Sequence, residues 1–289
     1  MALLPCYLAL PCSLAGAALP SAGRRGNLAL MTKIVPVVSG KGGVGKSTVA
    51  VNLAVALAGT GARVALIDSD FYGPSIPTLF GGGQVIPDHE GKLIPPQKYG
   101  VKYISLGFFL QNPDDAVIWR GPMFNKALQQ LFHDVSWGEV DYFIVDMPPG
   151  TGDAQLSLAQ LVQLSGAVVV TTPQEVALAD VRKAMNMLGK VNVPILGIVE
   201  NMAGFVTPDG QRHDIFGAGG GARTAEAFGV PLLASIPIFP AVREGGDNGV
   251  PVAVEESSPA GAIFRALALN LISILDKNSD SQPRLKVVN

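Results

Sequence analysis

Short apolar runs alternate with longer apolar or amphipathic stretches along most of this chain. The short runs, such as residues 34–38 and 142–146, are rich in β-branched residues, whereas residues 49–58 have the length of a helix. This alternation predicts an α/β fold, with a mainly parallel sheet and helices on both faces. The other predicted elements are residues 63–70, 101–106, 123–133, 154–164, 167–172, 176–188, 195–200, 221–228, 232–236 and 260–275.

Composition is consistent with one large domain. The 289 residues are 48% hydrophobic and 15% charged, which allows a single α/β core. A net charge of −2 and the lack of any Lys/Arg cluster argue against a nucleic-acid partner. We expect the domain at residues 31–276, an extension at 1–30 and a polar tail at 277–289. The Gly- and Pro-rich segment 81–97 predicts a surface loop.

Residues 1–30 form an apolar extension that lacks the basic start of a secretory signal and has less Ser and Arg than a transit peptide would show. Pro5, Pro11 and Pro20 would interrupt a membrane-spanning helix. Because Met31 directly precedes the first predicted strand, we interpret the extension as a translation-start artefact, with a disordered leader as the alternative. The protein is therefore expected to be cytoplasmic, without a membrane partner.

A phosphate-binding loop follows the first predicted strand. Its residues match G-x-x-x-x-G-K-[ST]: Gly40, Lys41, Gly42, Gly43, Val44, Gly45, Lys46, Ser47 and Thr48. Glycines there let backbone N–H groups surround phosphate oxygens without a Cβ in the way. We expect Lys46 to contact phosphate, Ser47 to bind Mg²⁺, and the N-terminus of the following helix to favour the anion.

Lys41 is a second lysine, at a position where an ordinary phosphate loop needs no charge. It comes too early in the loop to replace Lys46, so it is either a solvated turn residue or a group that reaches phosphate from another direction. The string K-G-G-V-G-K-S-T resembles the deviant loop of the nitrogenase-iron-protein, plasmid-partition and septum-site-determining (MinD/ParA-like) ATPases. That resemblance implies a homodimer in which Lys41 contacts the partner's nucleotide and acts in catalysis with Lys46.

Three aspartates end two predicted strands. Asp68 and Asp70 close one apolar run and Asp146 closes another. Carboxylates at such strand ends face the crevice in which open α/β sheets bind ligands. We expect Asp70 to orient the attacking water, and Asp68 and Asp146 to serve Mg²⁺. A helix cap or turn role is the alternative for each. The Pro- and Gly-rich residues 147–153 look like a switch that responds to the γ-phosphate.

Several motifs together resemble the Mrp/ApbC family of ATP-dependent iron–sulfur cluster carriers. The similarity extends from about Met31 to the last predicted helix, and it implies a homodimeric ATPase that delivers a bridging cluster to apoproteins. ATP, Mg²⁺ and an iron–sulfur cluster are the implied ligands. Besides the phosphate loop, the motifs are D-S-D-F-Y-G-P-S (68–75), W-R-G-P-M (119–123), D-M-P-P-G-T-G-D (146–153), E-N-M (200–202), R-H-D-I-F-G (212–217) and I-P-I-F-P-A-V-R-E-G-G-D (236–247).

The choice of base is weakly encoded. The N-K-x-D pattern that reads guanine is absent, which removes the main argument for GTP. The resemblance places Asn201 at the adenine, where an amide can pair with both the amino group and a ring nitrogen. It also places a loop at residues 237–243, beginning at Pro237, beside the base. A strand cap is the alternative role for Asn201.

The cysteines that bind the cluster in this family are missing. Cluster-carrying members usually have F-x-C-P-x-C-G shortly after E-N-M, whereas this chain reads F-V-T-P-D-G, with Thr207 at the first cysteine position. Cluster ligation by cysteine needs thiolate sulfur. Cys6 and Cys12, spaced C-x₅-C, lie in the extension. His213 and Asp214 are possible ligands, with a hydrogen-bonded surface pair as the alternative. We therefore assign no iron–sulfur ligands to the chain.

Four functions fit these patterns. The first is a slow Mg-ATPase of the cluster-carrier family, acting with iron–sulfur apoproteins or assembly factors. The second is an ATP-switched chaperone or adaptor that carries no cluster. A septum-placement or partition ATPase would need a basic amphipathic C-terminal helix or a basic DNA face, and the polar tail broken by Pro283 offers neither. The fourth is a nucleotide-sensing binding module.

Overall fold

The computed structural model describes residues 32–71, 73–109, 121–150 and 153–281. The predicted extension and residues 282–289 of the predicted tail lie outside the described residues. So do residues 119–120 and 151–152 of the family-like motifs.

A mainly parallel sheet organises the described chain. Nine strands form it in the order β10-β9-β8-β1-β7-β2-β6-β5, with β11 also beside β9. All pairs are parallel except β5–β6 and β9–β10. A separate hairpin pairs β3 with β4. The strands are β1 Lys33–Ser39, β2 Val64–Asp68, β3 Ile86–Pro87, β4 Leu93–Ile94, β5 Gln97–Lys98, β6 Val101–Ser105, β7 Tyr142–Asp146, β8 Ala167–Thr171, β9 Ile195–Val206, β10 Arg212–His213 and β11 Leu232–Ile238.

Helices cover both faces of this sheet, which confirms the predicted fold class. The helices are α1 Lys46–Ala58, α2 Ile76–Leu79, α3 Gly121–His133, α4 Asp153–Leu161, α5 Glu175–Lys190, α6 Gly220–Phe228, α7 Pro240–Asp247 and α8 Pro259–Ser281, with 3₁₀ turns at Leu106–Phe109 and Val252–Val254. Buried side chains of α1 and α8 form one core and those of α3 and α5 form another. Strand residues alternate between the two: in β2, Leu66 faces the first core and Ile67 the second.

Two segments differ from the prediction. The expected loop at 81–97 contains the β3–β4 hairpin, whose turn is closed because the Asp88 carboxylate accepts the N–H groups of Glu90 and Lys92. The expected loop at 237–243 is instead the end of β11 and the start of α7. Short elements of this kind depend on local capping and on contacts with the body of the domain, which hydrophobic periodicity does not reveal.

The last helix is longer and more apolar than most. Residues 259–278 of α8 are the one stretch among the described helices with the length and composition to cross a membrane. Phe264, Leu267, Leu271 and Leu275 are buried in the core that α8 shares with α1, as in the core helix of a globular domain. The helix runs to Ser281, so residues 277–281 of the predicted tail are helical.

Candidate nucleotide site

The carboxyl ends of three neighbouring strands bring the predicted acids to the phosphate loop. Asp68, the last residue of β2, lies directly opposite Asp146, the last residue of β7. Asp146 is also in register with Val37 of β1, the strand that leads into the loop. Because these three strands are adjacent and parallel, their C-terminal ends form one edge. The loop and both strand-end acids therefore lie at the same edge of the sheet.

Glycines of the phosphate loop serve two purposes. A Cβ at Gly42 or Gly43 would meet no atom within 4 Å, so the backbone there borders open space. Gly43 also has a φ of 80°, which L side chains rarely adopt. Open space lined by backbone N–H groups is what a phosphate needs.

Gly40 and Gly45 are required by packing instead. A Cβ at Gly40 would lie 2.3 Å from the backbone of Asp180, because α5 packs directly on the loop. A Cβ at Gly45 would lie 2.2 Å from the side-chain nitrogen of Asn201. Asn201 uses that nitrogen to donate a hydrogen bond of 2.9 Å to the Val44 carbonyl. The loop is thus held by α5 on one side and by β9 on the other, contacts that the sequence pattern did not indicate.

Lys46 lies at the centre of a buried polar cluster. Its Nζ is 2.6 Å from Asp146 Oδ1 and 3.7 Å from Asp70 Oδ2, and it donates to Ser47 Oγ at 3.3 Å. The exposed fractions of Lys46, Asp146 and Asp70 are 6%, 0% and 12%. One ammonium therefore links the phosphate loop with both acidic strand ends. In a site of low exposure these charges interact far more strongly than they would in water.

Asp146 has an oxygen available for a cation. Its Oδ2 is buried without a hydrogen-bond partner among the described residues, while Oδ1 pairs with Lys46. A buried carboxylate oxygen is a hard donor of the kind that Mg²⁺ prefers, either directly or through one of its waters. The Ser47 hydroxyl contacts the same ammonium. These two residues therefore fit a Mg²⁺ ion beside a bound phosphate.

Asp68 supports neighbouring backbone. Its Oδ1 accepts the Asp70 N–H, and its Oδ2 accepts the Ile76 N–H and the Ser105 hydroxyl. Complete burial, and then the nearby charge of Asp146, raise the pKa of Asp68 to about 7. These bonds hold the segment that carries Asp70, as the alternative capping role anticipated. Support of the Mg²⁺ hydration shell by Asp68 stays a prediction.

The other predicted nucleotide contacts lie around the same edge. Lys41 is half-buried, and within the described part of the chain its ammonium donates no hydrogen bond and forms no ion pair. Asn201 pairs with Ile236 across β9 and β11, and Pro237 follows directly. The roles of Lys41, Asn201 and Pro237 at a nucleotide stay predictions, as does that of Thr48 at the start of α1.

A tight polar hairpin stands where the family's cysteines would be. β9 continues to Val206, six residues beyond its predicted end, because it pairs with β11 as far as Phe205 and with β10 at its last two residues. In the turn, the Thr207 N–H donates to the Gln211 carbonyl and the Gly210 N–H donates to the Thr207 carbonyl, both at 2.9 Å. The Thr207 hydroxyl contacts the Asp209 carboxylate, and this hydrogen bond lowers the pKa of Asp209. The turn satisfies its own polar groups.

The remaining candidate ligands are not arranged for a metal. Asp214 accepts a hydrogen bond of 2.8 Å from Arg212 Nε, so it pairs with that arginine. His213 is exposed and lies opposite Phe205 in the hairpin. Among the residues that the structure describes, no group of three or more His, Cys, Asp or Glu side chains could hold a metal ion.

Two buried polar residues near the site escaped the sequence analysis. Ser105 donates to Asp68 from the end of β6, and Glu200 Oε1 accepts the Gly221 N–H at 2.7 Å, which caps α6. Glu200 ends a predicted apolar strand, and Ser105 lies one residue before the end of another. That position was the available signal, since polar groups at strand ends of a parallel sheet gather at one edge.

Two known proteins are similar in sequence to this chain over most of its length. An iron-sulfur cluster carrier protein from Aquifex aeolicus is 51% identical over 252 residues, covering 86% of this chain and 68% of that protein. An Arabidopsis thaliana protein described as the mitochondrial iron-sulfur protein required for NADH dehydrogenase is 47% identical over 263 residues, covering 88% and 83%.

Solved structures show the same fold. A nucleotide-binding protein from Archaeoglobus fulgidus in complex with ADP has a TM-score of 0.68 at 39% identity, covering 80% of this chain and 90% of that one. The septum site-determining protein MinD from Pyrococcus horikoshii, complexed with Mg-ADP, has a TM-score of 0.65 at 26% identity, covering 86% and 99%.

A family sequence model locates the resemblance along the chain. The ParA model described as NUBPL iron-transfer P-loop NTPase matches residues 30–272. It includes the loop, both acidic strand ends and the hairpin, and it confirms the resemblance to the Mrp/ApbC cluster carriers. The chain therefore belongs to the family of iron-transfer P-loop NTPases.

Proposed function

We propose that this protein is a Mg²⁺-dependent ATPase that works as a homodimer in iron–sulfur cluster assembly, and that its described domain does not itself ligate the cluster. The observation that carries the proposal is the buried Lys46 ammonium between Asp146 and Asp70, beside a glycine loop that borders open space. Cation, acids and backbone donors are together the parts that phosphoryl transfer requires.

Each of these residues has a role in hydrolysis of ATP to ADP and phosphate. Lys46 and the loop N–H groups bind the phosphates, while Ser47 and Asp146 would hold Mg²⁺, which would supply positive charge to neutralise the phosphates. The Asp70 carboxylate, close to Lys46, accepts a hydrogen bond from the attacking water and aims it at the γ-phosphate. Asp68 keeps Asp70 in place through its backbone N–H.

Adenine is the proposed base. Asn201 already borders the phosphate loop through Val44, and its Oδ1 can accept a hydrogen bond from the adenine amino group. Pro237 would border the ring. Two structural neighbours were solved with ADP, which supports the same nucleotide class here.

The homodimer is proposed on account of Lys41. Its half-buried ammonium makes no pair within the described chain, although it belongs to the loop that carries Lys46. A lysine in the partner's phosphate site would satisfy that charge and complete both sites by twofold symmetry. Turnover is expected to be slow, because each site is complete only in the dimer.

We propose that this protein takes part in cluster assembly by acting on partner proteins that hold the cluster. The names of the relatives indicate cluster transfer, and iron–sulfur apoproteins or assembly factors are therefore the proposed partners. The hairpin at 207–211 offers oxygen donors that are already hydrogen-bonded, and these suit iron–sulfur clusters poorly. An ATP-switched adaptor is accordingly favoured over a carrier. A cytoplasmic location is proposed with it.

Anaerobic reconstitution of the full chain tests this proposal. Iron, acid-labile sulfide and ATP turnover would be measured on the parent and on a Cys6→Ser/Cys12→Ser variant. We expect ATP turnover in both and only traces of cluster in both. About one four-iron cluster per dimer in the double variant would contradict the adaptor role. A cluster in the parent alone would assign it to Cys6 and Cys12, and a lack of ATP turnover would contradict the ATPase.

A further inference from the structure

Buried polar atoms without partners concentrate at the nucleotide edge of the sheet. Among the described residues they are Asp146 Oδ2, Gln155 Oε1 and Thr172 Oγ1. Asp146 and Thr172 end or follow strands of that edge, and Gln155 is in α4, just after the predicted switch. Buried polar groups in folded proteins are nearly always paired. An unpaired amide oxygen at this place therefore calls for an explanation.

Gln155 holds the backbone that follows Asp146. Its Nε2 donates to the Gly150 carbonyl at 2.9 Å and to the Pro148 carbonyl at 3.3 Å, and the side chain is 4% exposed. Two carbonyl oxygens face the same end of the amide, so that end must be the nitrogen. One side chain thus uses both of its N–H groups on a single stretch of three residues.

The same stretch is tied to the phosphate loop from its other side. The Gly150 N–H donates to the Ser39 carbonyl at 2.9 Å, and the Ser39 hydroxyl donates to the Lys41 carbonyl at 3.0 Å. The Met147 N–H also donates a hydrogen bond to the Val37 carbonyl of β1. A continuous series of hydrogen bonds therefore runs from α4, through residues 148–150, to the loop that carries Lys41.

We propose that Gln155 is a positioning residue that sets residues 148–150 for recognition of the γ-phosphate and transmits their position to α4. Because Gln155 holds the Pro148 and Gly150 carbonyls, the Gly150 N–H faces the loop side, where a phosphate oxygen can replace the Ser39 carbonyl as acceptor. A γ-phosphate has such oxygens near Asp146 and a diphosphate does not. The unpaired Oε1 leaves Gln155 able to accept a further bond when the segment shifts. This inference rests on the proposed nucleotide site.

Binding measurements on two variants test the role of Gln155. Gln155→Met keeps the length of the side chain and removes its N–H groups, whereas Gln155→Glu keeps polarity but places acceptors against two carbonyls. Gln160→Met, on an exposed position of the same helix, is the matched control. The readouts are the affinities for ADP and for a non-hydrolysable ATP analogue with Mg²⁺, the turnover number and the midpoint of thermal unfolding.

We expect the preference of both Gln155 variants for the ATP analogue over ADP to fall by about fivefold or more, while the affinity for ADP changes less than about twofold. The reason is that the lost hydrogen bonds support only the state with the γ-phosphate bound. Turnover should fall about tenfold with little change in KM. Gln160→Met should match the parent in every readout.

Three results would overturn the inference. An unchanged ratio of the two affinities in Gln155→Met would show that the residue does not influence recognition of the γ-phosphate. Equal weakening of both nucleotides with a lower unfolding temperature would show a purely structural role. Rescue by Gln155→Glu would show that N–H donation is not needed. Because the affinity ratio requires no turnover, a parent that binds ATP without hydrolysing it would contradict the proposed ATPase and still leave this test decisive.

Discussion

Two regions at the C-terminal ends of strands differ in burial and in chemistry. At the ends of β2 and β7, Asp68 and Asp146 are buried; Asp146 pairs with Lys46 through one oxygen and has the other oxygen left for a cation. At the end of β9, the hairpin formed with β10 is exposed, and Thr207 and Asp209 satisfy each other. The first region has the buried charges and the available oxygen that binding of a ligand and its reaction require. The second region is a turn whose polar side chains bond to each other.

The comparison shows that the residues expected at the nucleotide and the position of the family's cysteines lie in separate parts of the fold. Nucleotide chemistry depends on interactions between charged groups, and these interactions are stronger when the groups are buried away from water. Cluster binding depends on sulfur donors, and a well-formed backbone turn cannot replace them. The predictions below test whether the nucleotide edge works alone and whether the hairpin is inert.

The largest expected effect is on hydrolysis in Asp70→Asn. Removing the charge that orients water should lower the turnover number about a hundredfold, the usual scale for loss of a positioned acid–base group. ATP affinity should stay within about twofold, because phosphate contacts remain. Steady-state phosphate release and titration with a non-hydrolysable analogue measure the two quantities. Turnover at the parental rate would remove Asp70 from the mechanism.

Lys46→Met should weaken ATP binding by about ten- to a hundredfold, since a charge-assisted phosphate contact is lost. It also leaves the buried Asp146 carboxylate without its partner, so the unfolding temperature without nucleotide should fall. Calorimetric titration and thermal melting measure these effects. An exposed control, Lys183→Met, should change neither, because its pair with Asp180 lies at the surface.

Mixed dimers test whether the nucleotide edge needs a second chain. Lys41→Ala and Asp70→Ala proteins should each be nearly inactive, while an equal mixture should regain roughly a quarter of parental activity. The reason is that half of the random dimers contain one intact site of two when Lys41 acts on the partner's nucleotide. Phosphate release before and after exchange of subunits gives the measurement. A mixture no more active than its parents would place the action of Lys41 within its own chain.

The buried acid pair should make stability depend on pH. Asp68 has a folded pKa of about 7, above that of the unfolded chain, so the folded state binds an extra proton between about pH 4 and 7. Stability is therefore lost as pH rises through 7. This group should lower the free energy of unfolding by about 1 kcal/mol between pH 6 and pH 8 without nucleotide or metal. Urea denaturation of the parent and Asp68→Asn measures it, and equal pH dependence in both would contradict the assignment.

The smallest effect is expected at the hairpin. Thr207→Val removes the hydroxyl that bonds within the turn, and Asp209→Asn removes the charge of its acceptor; each should change the free energy of unfolding by less than about 1 kcal/mol. ATP affinity and turnover should stay within about twofold of the parent. A tenfold loss of turnover in either variant would show that the hairpin is coupled to the nucleotide edge.

Much of the nucleotide site could be predicted from local sequence. The phosphate loop, with Lys46 and Ser47, is one continuous motif between a strand and a helix, and the fold confirms that setting. Asp68 and Asp146 were predicted at one edge because they end apolar strands. The absence of cysteine near Thr207 was likewise visible from residue identity alone.

Tertiary structure decided how these pieces act together. Neither the close approach of α5 to Gly40, nor the bond from Asn201 to Val44, nor the hold of Gln155 on residues 148–150 leaves a periodic trace in the sequence. Asn201 and Val44 are 157 residues apart, and strand order alone brings them together. The sequence by itself determined which ligand-binding groups the chain possesses, because the type of each residue fixes the functional group it carries. The fold decided which of them are buried, paired or free, because burial and partners depend on strands that are distant along the chain.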